Sequence, residues 1–225
     1  AHRGRKLPIP GNDLEGVVET TALLRDVRMG LPPKLGDSVL VLGGGNVAFD
    51  AARTALRLGA SQVHMAFPES RDAMLASEEE IQAGVAEGVV LHPSRSFTRI
   101  LDKNGRVSGV ECIHVKSFSF RPDGRLELET TPDSEHVLEC DTVIFAIGQG
   151  VELGSISRDG GVGVTPRGTV DVKPETMATD RPGVFAAGDA VTGTRTVVEA
   201  VGAGHRAAVA IDRYLNSQEL NPPAG

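Results

Sequence analysis

Ser38-Val-Leu-Val-Leu-Gly-Gly-Gly-Asn-Val-Ala48 is the stretch that decides the fold of this chain. Ser38–Leu42 is a short, almost wholly apolar run, which is typical of a strand buried on both faces. Gly43–Ala48 fits the pattern G-x-G-x-x-G/A, and apolar residues recur at helical spacing from Val47 to Leu58. The stretch therefore predicts a strand, a tight turn and a helix, which together open a dinucleotide-binding βαβ unit.

Each residue type in this turn has a physical reason. Gly43 allows the sharp turn, Gly45 lacks a Cβ so that a pyrophosphate can approach the backbone, and Ala48 keeps the helix close to the strand. The free backbone N–H groups at the helix start, on Asn46 and Val47, are expected to face the phosphates together with the helix dipole. The alternative is a tight strand-to-helix turn that binds no ligand.

The segment after the second predicted strand, Gln62–Phe67, bears on the choice of cofactor. A carboxylate there binds the ribose hydroxyls of NAD, whereas arginine accepts the additional phosphate of NADP. Glu69 lies 24 positions after Gly45, about where the acidic residue belongs, and Arg71 follows closely. The signal is mixed, and it favours NAD; the alternative for Glu69 is a solvated loop charge.

The rest of the chain predicts an α/β fold. A βαβαβ order, then a β meander and one more strand, indicates a Rossmann-like parallel sheet with an antiparallel β crossover. Residues 1–37 are predicted to be a linker with a short helix within Gly16–Met29. The middle of the chain is predicted to contain a helix at Ser77–Gly88 with a capping box of Ser77 and Glu80, a strand at Val89–His92, a hairpin of Phe97–Leu101 and Val107–Val115 around the turn Asp102–Gly105, and a further turn at Pro122–Gly124. The last part is predicted to contain a buried strand at Asp141–Gly148, short strands within Gly160–Val172, a strand at Gly183–Ala187 and a long helix from about Thr196 to about Asn216.

Composition narrows the function classes. The 225 residues are 40% hydrophobic and 24% charged, which is ordinary for a soluble globular protein. The net charge of −7 argues against a nucleic-acid partner. No apolar run reaches the roughly 18 residues of a membrane span, and no signal peptide opens the sequence. We therefore expect a cytoplasmic protein with no membrane partner.

The cysteines and histidines do not indicate a metal site. Cys112 and Cys140 form no Cys-x-x-Cys pair, so we expect two reduced thiols that act as small hydrophobic residues. The six histidines show no metal-ligand spacing and are expected at the surface or in packing. Asp50 and Arg53, three apart on the first helix, are expected to be a structural pair.

Several motifs occur in the order of one known family. They are Leu7-x-Ile-Pro-Gly-x-Asp-Leu-x-Gly-Val17, Val39–Asp50 with Ala52-Arg53, Val143–Gln149, Gly183–Asp189 and Thr196–Ala208. With them the chain resembles the FAD- and NAD(P)-dependent pyridine nucleotide oxidoreductases, in particular the branch of the glutamate synthase small subunit. The resemblance covers nearly the whole chain.

The resemblance implies two Rossmann-like domains. Residues 1–37 would be a linker and a remnant of the FAD domain, residues 38–148 the NAD(P)-binding domain, and residues 149–225 the C-terminal part of the FAD-binding domain. By this implication the cofactor-binding set extends to Gly148, at the end of the returning strand, and to Gly188. Asp189 would hydrogen-bond the ribityl–phosphate part of FAD, with an N-cap or turn role as the alternative. The helix start at Thr196 and Val197 would present N–H groups to the flavin pyrimidine edge.

Three departures from the family pattern matter. NADP-using members carry two adjacent arginines where this chain has Pro68-Glu69, which favours NAD. The family has a FAD-binding G-x-G-x-x-G near its N-terminus, and this chain has no such motif. Gly11–Gly16 has similarly spaced glycines, but no buried strand precedes it. We therefore expect a fragment of a larger polypeptide, with weak or no FAD retention. No cysteine motif for an iron–sulfur cluster is present, so any cluster would lie in the missing part or in a partner.

The expected function is hydride transfer from NAD(P)H to FAD and onward to an electron acceptor, such as a partner subunit or an iron–sulfur protein. The cofactors carry this chemistry, so no acid–base catalytic residue is required. A short-chain dehydrogenase is disfavoured because it needs Tyr-x-x-x-Lys, whereas Gln218 stands four positions after Tyr214, the only tyrosine. The alternative from another class is a non-catalytic dinucleotide-binding or interaction module of an electron-transfer complex.

Overall fold

A computed structural model describes residues 2–120, 126–153 and 160–216 of the chain. The chain divides into two compact units, which we call the large unit (Gly4–Gly148) and the small unit (Gln149–Gly225 with Ala1–Arg3). The strands are β1 His2–Gly4, β2 Val17–Glu19, β3 Ser38–Leu42, β4 Gln62–Ala66, β5 Val90–His92, β6 Arg95–Lys103, β7 Arg106–Phe120, β8 Leu126–Thr130, β9 His136–Leu138, β10 Thr142–Phe145 and β11 Gln149–Val151, and the helices are α1 Thr20–Arg28, α2 Asn46–Arg57, α3 Glu78–Ala86, α4 Asp189–Thr192 and α5 Val197–Leu215.

A five-stranded parallel sheet of order β2-β10-β3-β4-β5 is the frame of the large unit. Val39 and Val41 of β3 enter one hydrophobic cluster and Leu40 and Leu42 enter another, so the strand is buried on both faces. This arrangement is the physical reason for the continuous apolar run in β3. The predicted α/β fold class with a parallel core is confirmed.

The N-terminal segment differs from the prediction of a linker. Val17–Glu19 forms the edge strand β2, which pairs in parallel with β10 through Val18 and Ile144. The predicted helix within Gly16–Met29 is confirmed but begins only at Thr20, and Leu23 on its inner face is fully buried in the same cluster as α2. The segment is therefore an integral part of the sheet and its covering layer.

Antiparallel strands form the second layer of the large unit. β7 pairs with β6, β8 and β9. The β6–β7 turn places both Asn104 (φ 58°) and Gly105 (φ 79°) in the left-handed region, which a two-residue hairpin turn requires. The predicted hairpin and β crossover are confirmed, and the predicted turn at Pro122–Gly124 lies outside the described residues.

The small unit has less regular structure than the sequence predicted. Gly160–Val172 contains only the isolated bridge of Val164 with Val170, and Gly183–Ala187 contains only the bridge of Phe185 with Ala178. The predictions of strands in these two segments are wrong in the structure. Met177 takes a left-handed φ of 56°, which interrupts the segment facing Phe185, so the ladder does not extend.

Helix α5 agrees closely with its predicted bounds. Thr196 is the N-cap, and its side chain and that of Glu199 form a complete capping box. Within residues 2–120, 126–153 and 160–216, no helix has the length and apolar character needed to cross a membrane.

Candidate functional site

The predicted dinucleotide turn lies at the carboxyl edge of the parallel sheet, between the ends of two neighbouring strands. The Gly43 N–H donates to the Ala66 carbonyl at the end of β4 (2.8 Å), and the Ala146 N–H just after β10 donates to the Leu42 carbonyl (2.8 Å). Ligands of open α/β sheets bind at this edge. The local geometry therefore places the turn where a ligand could reach it.

The two glycines of the pattern meet different surroundings. Gly43 has φ 137°, and an added Cβ would collide with the backbone carbonyl of Ala146, whose carbon would lie 2.8 Å away. Gly45 has φ −90°, and an added Cβ would meet nothing within 4 Å. Gly43 is thus required by packing and backbone conformation, whereas Gly45 leaves a space open beside the helix start.

The first turn of α2 has unpaired donors beside this space. The N–H groups of Ala48 and Phe49 donate to the Gly45 carbonyl, so those of Asn46 and Val47 have no acceptor within the helix. Ala48 is completely buried, consistent with its predicted role of keeping the helix close to the strand. Such a helix start favours an anion through both its donors and its dipole.

Asn46 also has a role that the sequence did not indicate. Its side-chain Oδ1 accepts a hydrogen bond from the Ser77 N–H (2.8 Å) at the N-cap of α3. The sequence predicted that Glu80 would accept from Ser77 to complete a capping box. Only the Ser77 Oγ half of that box forms, because the Glu80 carboxylate pairs with Arg53 at 3.0 Å. Asn46 thereby connects the turn to the segment that follows β4.

Arg53 has partners beyond the predicted Asp50. It forms ion pairs with Glu80 (3.0 Å) and Glu87 (2.7 Å), and its charge also acts to lower the pKa of Asp50, although burial raises that pKa more. Helix α3 packs beside α2, so its carboxylates reach the guanidinium across the helix pair. The pairs fix the two helices that flank the candidate site.

Glu69 is buried rather than solvated. Only 6% of the residue is exposed, and its Oε2 has no hydrogen-bond partner. Its backbone carbonyl accepts from the Ser94 N–H (2.8 Å), which holds this part of the loop against the segment after β5. Burial raises the pKa of the Glu69 carboxyl, because the charged form loses hydration. A buried acceptor without a donor is uncommon and costly, and a ligand hydroxyl is one group that could satisfy it.

Arg71 lies two residues further on and is already paired. Its guanidinium contacts both carboxylate oxygens of Glu78, at 3.0 and 3.3 Å, and both side chains are largely exposed. The positive charge that made the cofactor signal mixed is therefore balanced by a carboxylate at the start of α3.

The other predicted residues lie after β10 and in the small unit. Gly148 has φ 98° and open space where a Cβ would be, and Gly188 has φ 63° directly before Asp189. Asp189 Oδ1 accepts from the Arg195 N–H at 3.3 Å. The Thr196 N–H is not available to a ligand, because it donates to Glu199 Oε2 (3.0 Å). Val197, 79% exposed, begins the helix.

Four histidines and Arg95 form two groups, one in each of two sheets of the large unit, and no sequence pattern indicated them. His64 Nδ1 lies 2.9 Å from His92 Nε2. Arg95 donates to His136 Nε2 (2.9 Å) and lies 3.0 Å from His114 Nδ1, which accepts because a guanidinium has no acceptor. Five separate strands contribute these residues, so only the folded topology brings them together.

The histidines of these two groups predict a loss of stability in mild acid. Burial lowers the pKa of His64, of His92 and of His114. The unfolded chain therefore binds protons first, and the free energy of unfolding decreases as the pH falls below about 6.5. We expect the urea midpoint of the chain to be lower at pH 5.5 than at pH 8, with a smaller decrease in His92→Asn. An equal decrease in this variant and the natural sequence would contradict the prediction.

The two cysteines are free and buried, and burial raises the pKa of each thiol to about 12. The nucleophilic thiolate is therefore scarce at neutral pH. Within the part of the chain that the structure describes, no group of three or more His, Cys, Asp or Glu residues is arranged to hold a metal ion.

Comparisons with known proteins agree with the geometry. The family described as "Pyridine nucleotide-disulphide oxidoreductase" matches residues 2–204. The "NADP(+)-dependent formate dehydrogenase subunit beta" of Moorella thermoacetica is 42% identical over 98% of this chain and 31% of its own length. The "Glutamate synthase [NADPH] small chain" of Escherichia coli is 33% identical over 80% of this chain and 39% of its own length. The chain thus spans about a third of the length of these curated relatives.

The fold also agrees with solved structures. "Mycobacterium tuberculosis FprA in complex with NADPH" matches with a TM-score of 0.74 over 95% of this chain and 62% of that chain, at 16% identity. At this identity the likeness supports the fold alone.

Proposed function

The chain belongs to the pyridine nucleotide-disulphide oxidoreductase family, and from this premise we propose that it is the nicotinamide-binding portion of a flavoprotein oxidoreductase. Residues 38–148 would bind NAD(P)H so that hydride passes to FAD and electrons continue to an acceptor. The observation that carries the proposal is the buried, unpartnered Oε2 of Glu69 at the same sheet edge as the open Gly43–Ala48 turn.

The residues of the large unit would divide the binding of the dinucleotide among them. The space at Gly45 and the N–H groups of Asn46 and Val47 suit a pyrophosphate. Glu69 suits the ribose hydroxyls, whose O–H groups would donate to its unpartnered oxygen. A 2′-phosphate would bring negative charge to the same carboxylate, which favours NAD. When bound, nicotinamide and flavin supply the hydride chemistry, while the chain binds and orients them.

The small unit would hold part of the FAD. We assign residues 149–225 to the C-terminal part of the FAD domain, with contacts from Gly188, from the Asp189 carboxylate and from the N–H of Val197 at the helix start. Gly148 would lie at the return toward that domain. Thr196 would act as the N-cap that orients the helix start, since its own N–H is bonded to Glu199. An electron-acceptor subunit or an iron–sulfur protein would complete the electron path.

Calorimetric titration of the chain with NADH and NADPH tests the proposal. We expect NADH to bind about tenfold more tightly than NADPH, because a carboxylate and a 2′-phosphate repel each other at short distance. NADPH binding more tightly would contradict the NAD preference, although the names of the two relatives carry NADP or NADPH. No binding of either dinucleotide would overturn the proposed function. NADH binding without dye reduction, by the full protein loaded with FAD, would instead favour a non-catalytic binding module.

A further inference from the structure

The ion pair between Arg71 and Glu78 is the feature near the candidate site that the proposed function does not use. Arg71 is the one cationic side chain between Glu69 and the start of α3. Its guanidinium holds the Glu78 carboxylate in a fork, with Nη2 at 3.0 and 3.3 Å and Nη1 at 3.3 Å from the carboxylate oxygens. This two-pronged geometry matches the way a guanidinium binds a phosphate.

Glu78 is itself held in place on the helix. Gln82, one turn further along α3, donates from Nε2 to Glu78 Oε1 at 3.3 Å. The pKa of the Glu78 carboxyl is lowered mainly by the hydrogen bond from Arg71, and then by that from Gln82. The carboxylate therefore stays charged at neutral pH and stays oriented toward the guanidinium.

The loop is also anchored at both ends to the elements that form the site. The carbonyl of Glu69 accepts from the Ser94 N–H at 2.8 Å, and the Ser77 N–H donates to Asn46 Oδ1 at 2.8 Å. Arg71 lies within this anchored segment, and Glu78 follows directly after it. An anion that approaches the Nη edge of Arg71 therefore competes directly with Glu78.

We propose that Glu78 is a specificity-determining residue, which keeps the Arg71 guanidinium from serving a 2′-phosphate and so disfavours NADPH relative to NADH. This inference rests on the proposed function of the same site. A phosphate binding the two Nη groups of Arg71 would have to replace the Glu78 carboxylate, next to the further negative charges of Asp72 and Glu79. Glu69 would favour a cofactor with free ribose hydroxyls. Glu78 would keep Arg71 paired, so that Arg71 does not bind the 2′-phosphate.

The experiment compares NADPH and NADH affinities by calorimetry in four forms of the chain at low salt: the natural sequence, Glu78→Gln, Glu79→Gln and the double variant Glu78→Gln with Arg71→Gln. Glu79→Gln is the matched control, because it removes the same charge from the same exposed helix turn. We expect Glu78→Gln to raise the ratio of NADPH to NADH affinity by about three- to tenfold, as loss of an exposed pair permits. Glu79→Gln should change this ratio less than twofold, and the double variant should return it to the natural value.

Two results would overturn the inference while leaving dinucleotide binding intact. One is an equal change in the ratio for Glu78→Gln and Glu79→Gln, which would indicate a general charge effect. The other is a gain that persists in the double variant, which would show that Arg71 does not receive the phosphate. Absence of binding by the natural sequence to both dinucleotides would overturn the proposed function, and this inference with it.

Discussion

Gly43→Ala should lower the free energy of unfolding of the large unit by about 4 kcal/mol. Gly43 has φ 137°, which an L-residue rarely adopts, and strain of this kind costs roughly 1–3 kcal/mol. The new Cβ would also meet the carbonyl of Ala146, a residue whose own N–H is bonded to the Leu42 carbonyl, and forced overpacking adds about 1–3 kcal/mol. Urea unfolding followed by far-ultraviolet circular dichroism measures the change.

Gly45→Ala is the matched control two positions away. Its added Cβ would meet nothing within 4 Å, and its φ of −90° suits any residue. Its cost should stay below about 1 kcal/mol, the loss expected when alanine occupies an N-cap. Under the proposed function its methyl group would nevertheless occupy the space meant for the pyrophosphate, so NADH affinity should fall. Equal destabilisation by the two substitutions would contradict this division of roles.

Features encoded by neighbouring residues were predictable from the sequence. Local patterns predicted the strand β3, the glycine turn after it and the helix α2. Each pattern spans only a few neighbouring residues, so the sequence alone was enough to recognise it. The two-residue turn at Asn104-Gly105 is equally local, because its residue types are the ones that tolerate a positive φ. Local chemistry therefore determined the opening βαβ unit and the hairpin.

Features formed by distant pairing were not predictable. Three residues at Val17–Glu19 are too few to show a period, and they become a strand only because β10, more than 120 positions later, offers a free edge. The Asp141 carboxylate similarly accepts from the N–H groups of Asp37 (2.9 Å) and Ser38 (3.2 Å), which joins β10 to the start of β3. The N-terminal segment therefore could not be recognised as part of the sheet.

The candidate site shows the same division. Sequence spacing selected Glu69 but left open whether it was a solvated charge, since burial depends on what packs over the loop. Likewise, Arg71 was visible as a charge, whereas its pairing with Glu78 depends on where α3 begins. Asn46 was selected for its backbone N–H, and its side-chain bond to Ser77 depends on the packing of α3 beside α2.

Glu69→Gln should stabilise the chain without ligand while weakening its binding of NADH. Glu69 Oε2 is buried without a donor, so the fold holds a poorly solvated charge whenever the carboxyl is ionised. Glutamine keeps the shape and removes the charge, so the free energy of unfolding at pH 8 should rise by about 1 kcal/mol. The same change removes a charge-assisted acceptor for the ribose hydroxyls, so NADH affinity should fall by about tenfold or more. If Glu69 served packing alone, the substitution would not raise the free energy of unfolding while lowering NADH affinity.

The pH dependence of this difference identifies the carboxylate as its cause. Burial raises the pKa of Glu69 above its unfolded value, so the folded chain gains stability as the carboxyl is protonated and loses it as the pH rises through the raised pKa. The advantage of Glu69→Gln, measured by urea unfolding against the natural sequence, should therefore be larger at pH 8 than at pH 4.5. Glu79→Gln, which changes an exposed glutamate, should show no such advantage at either pH. An advantage of Glu69→Gln that persisted unchanged at pH 4.5 would assign it to packing, and a loss of stability at pH 8 would mean that the carboxylate is paired in solution.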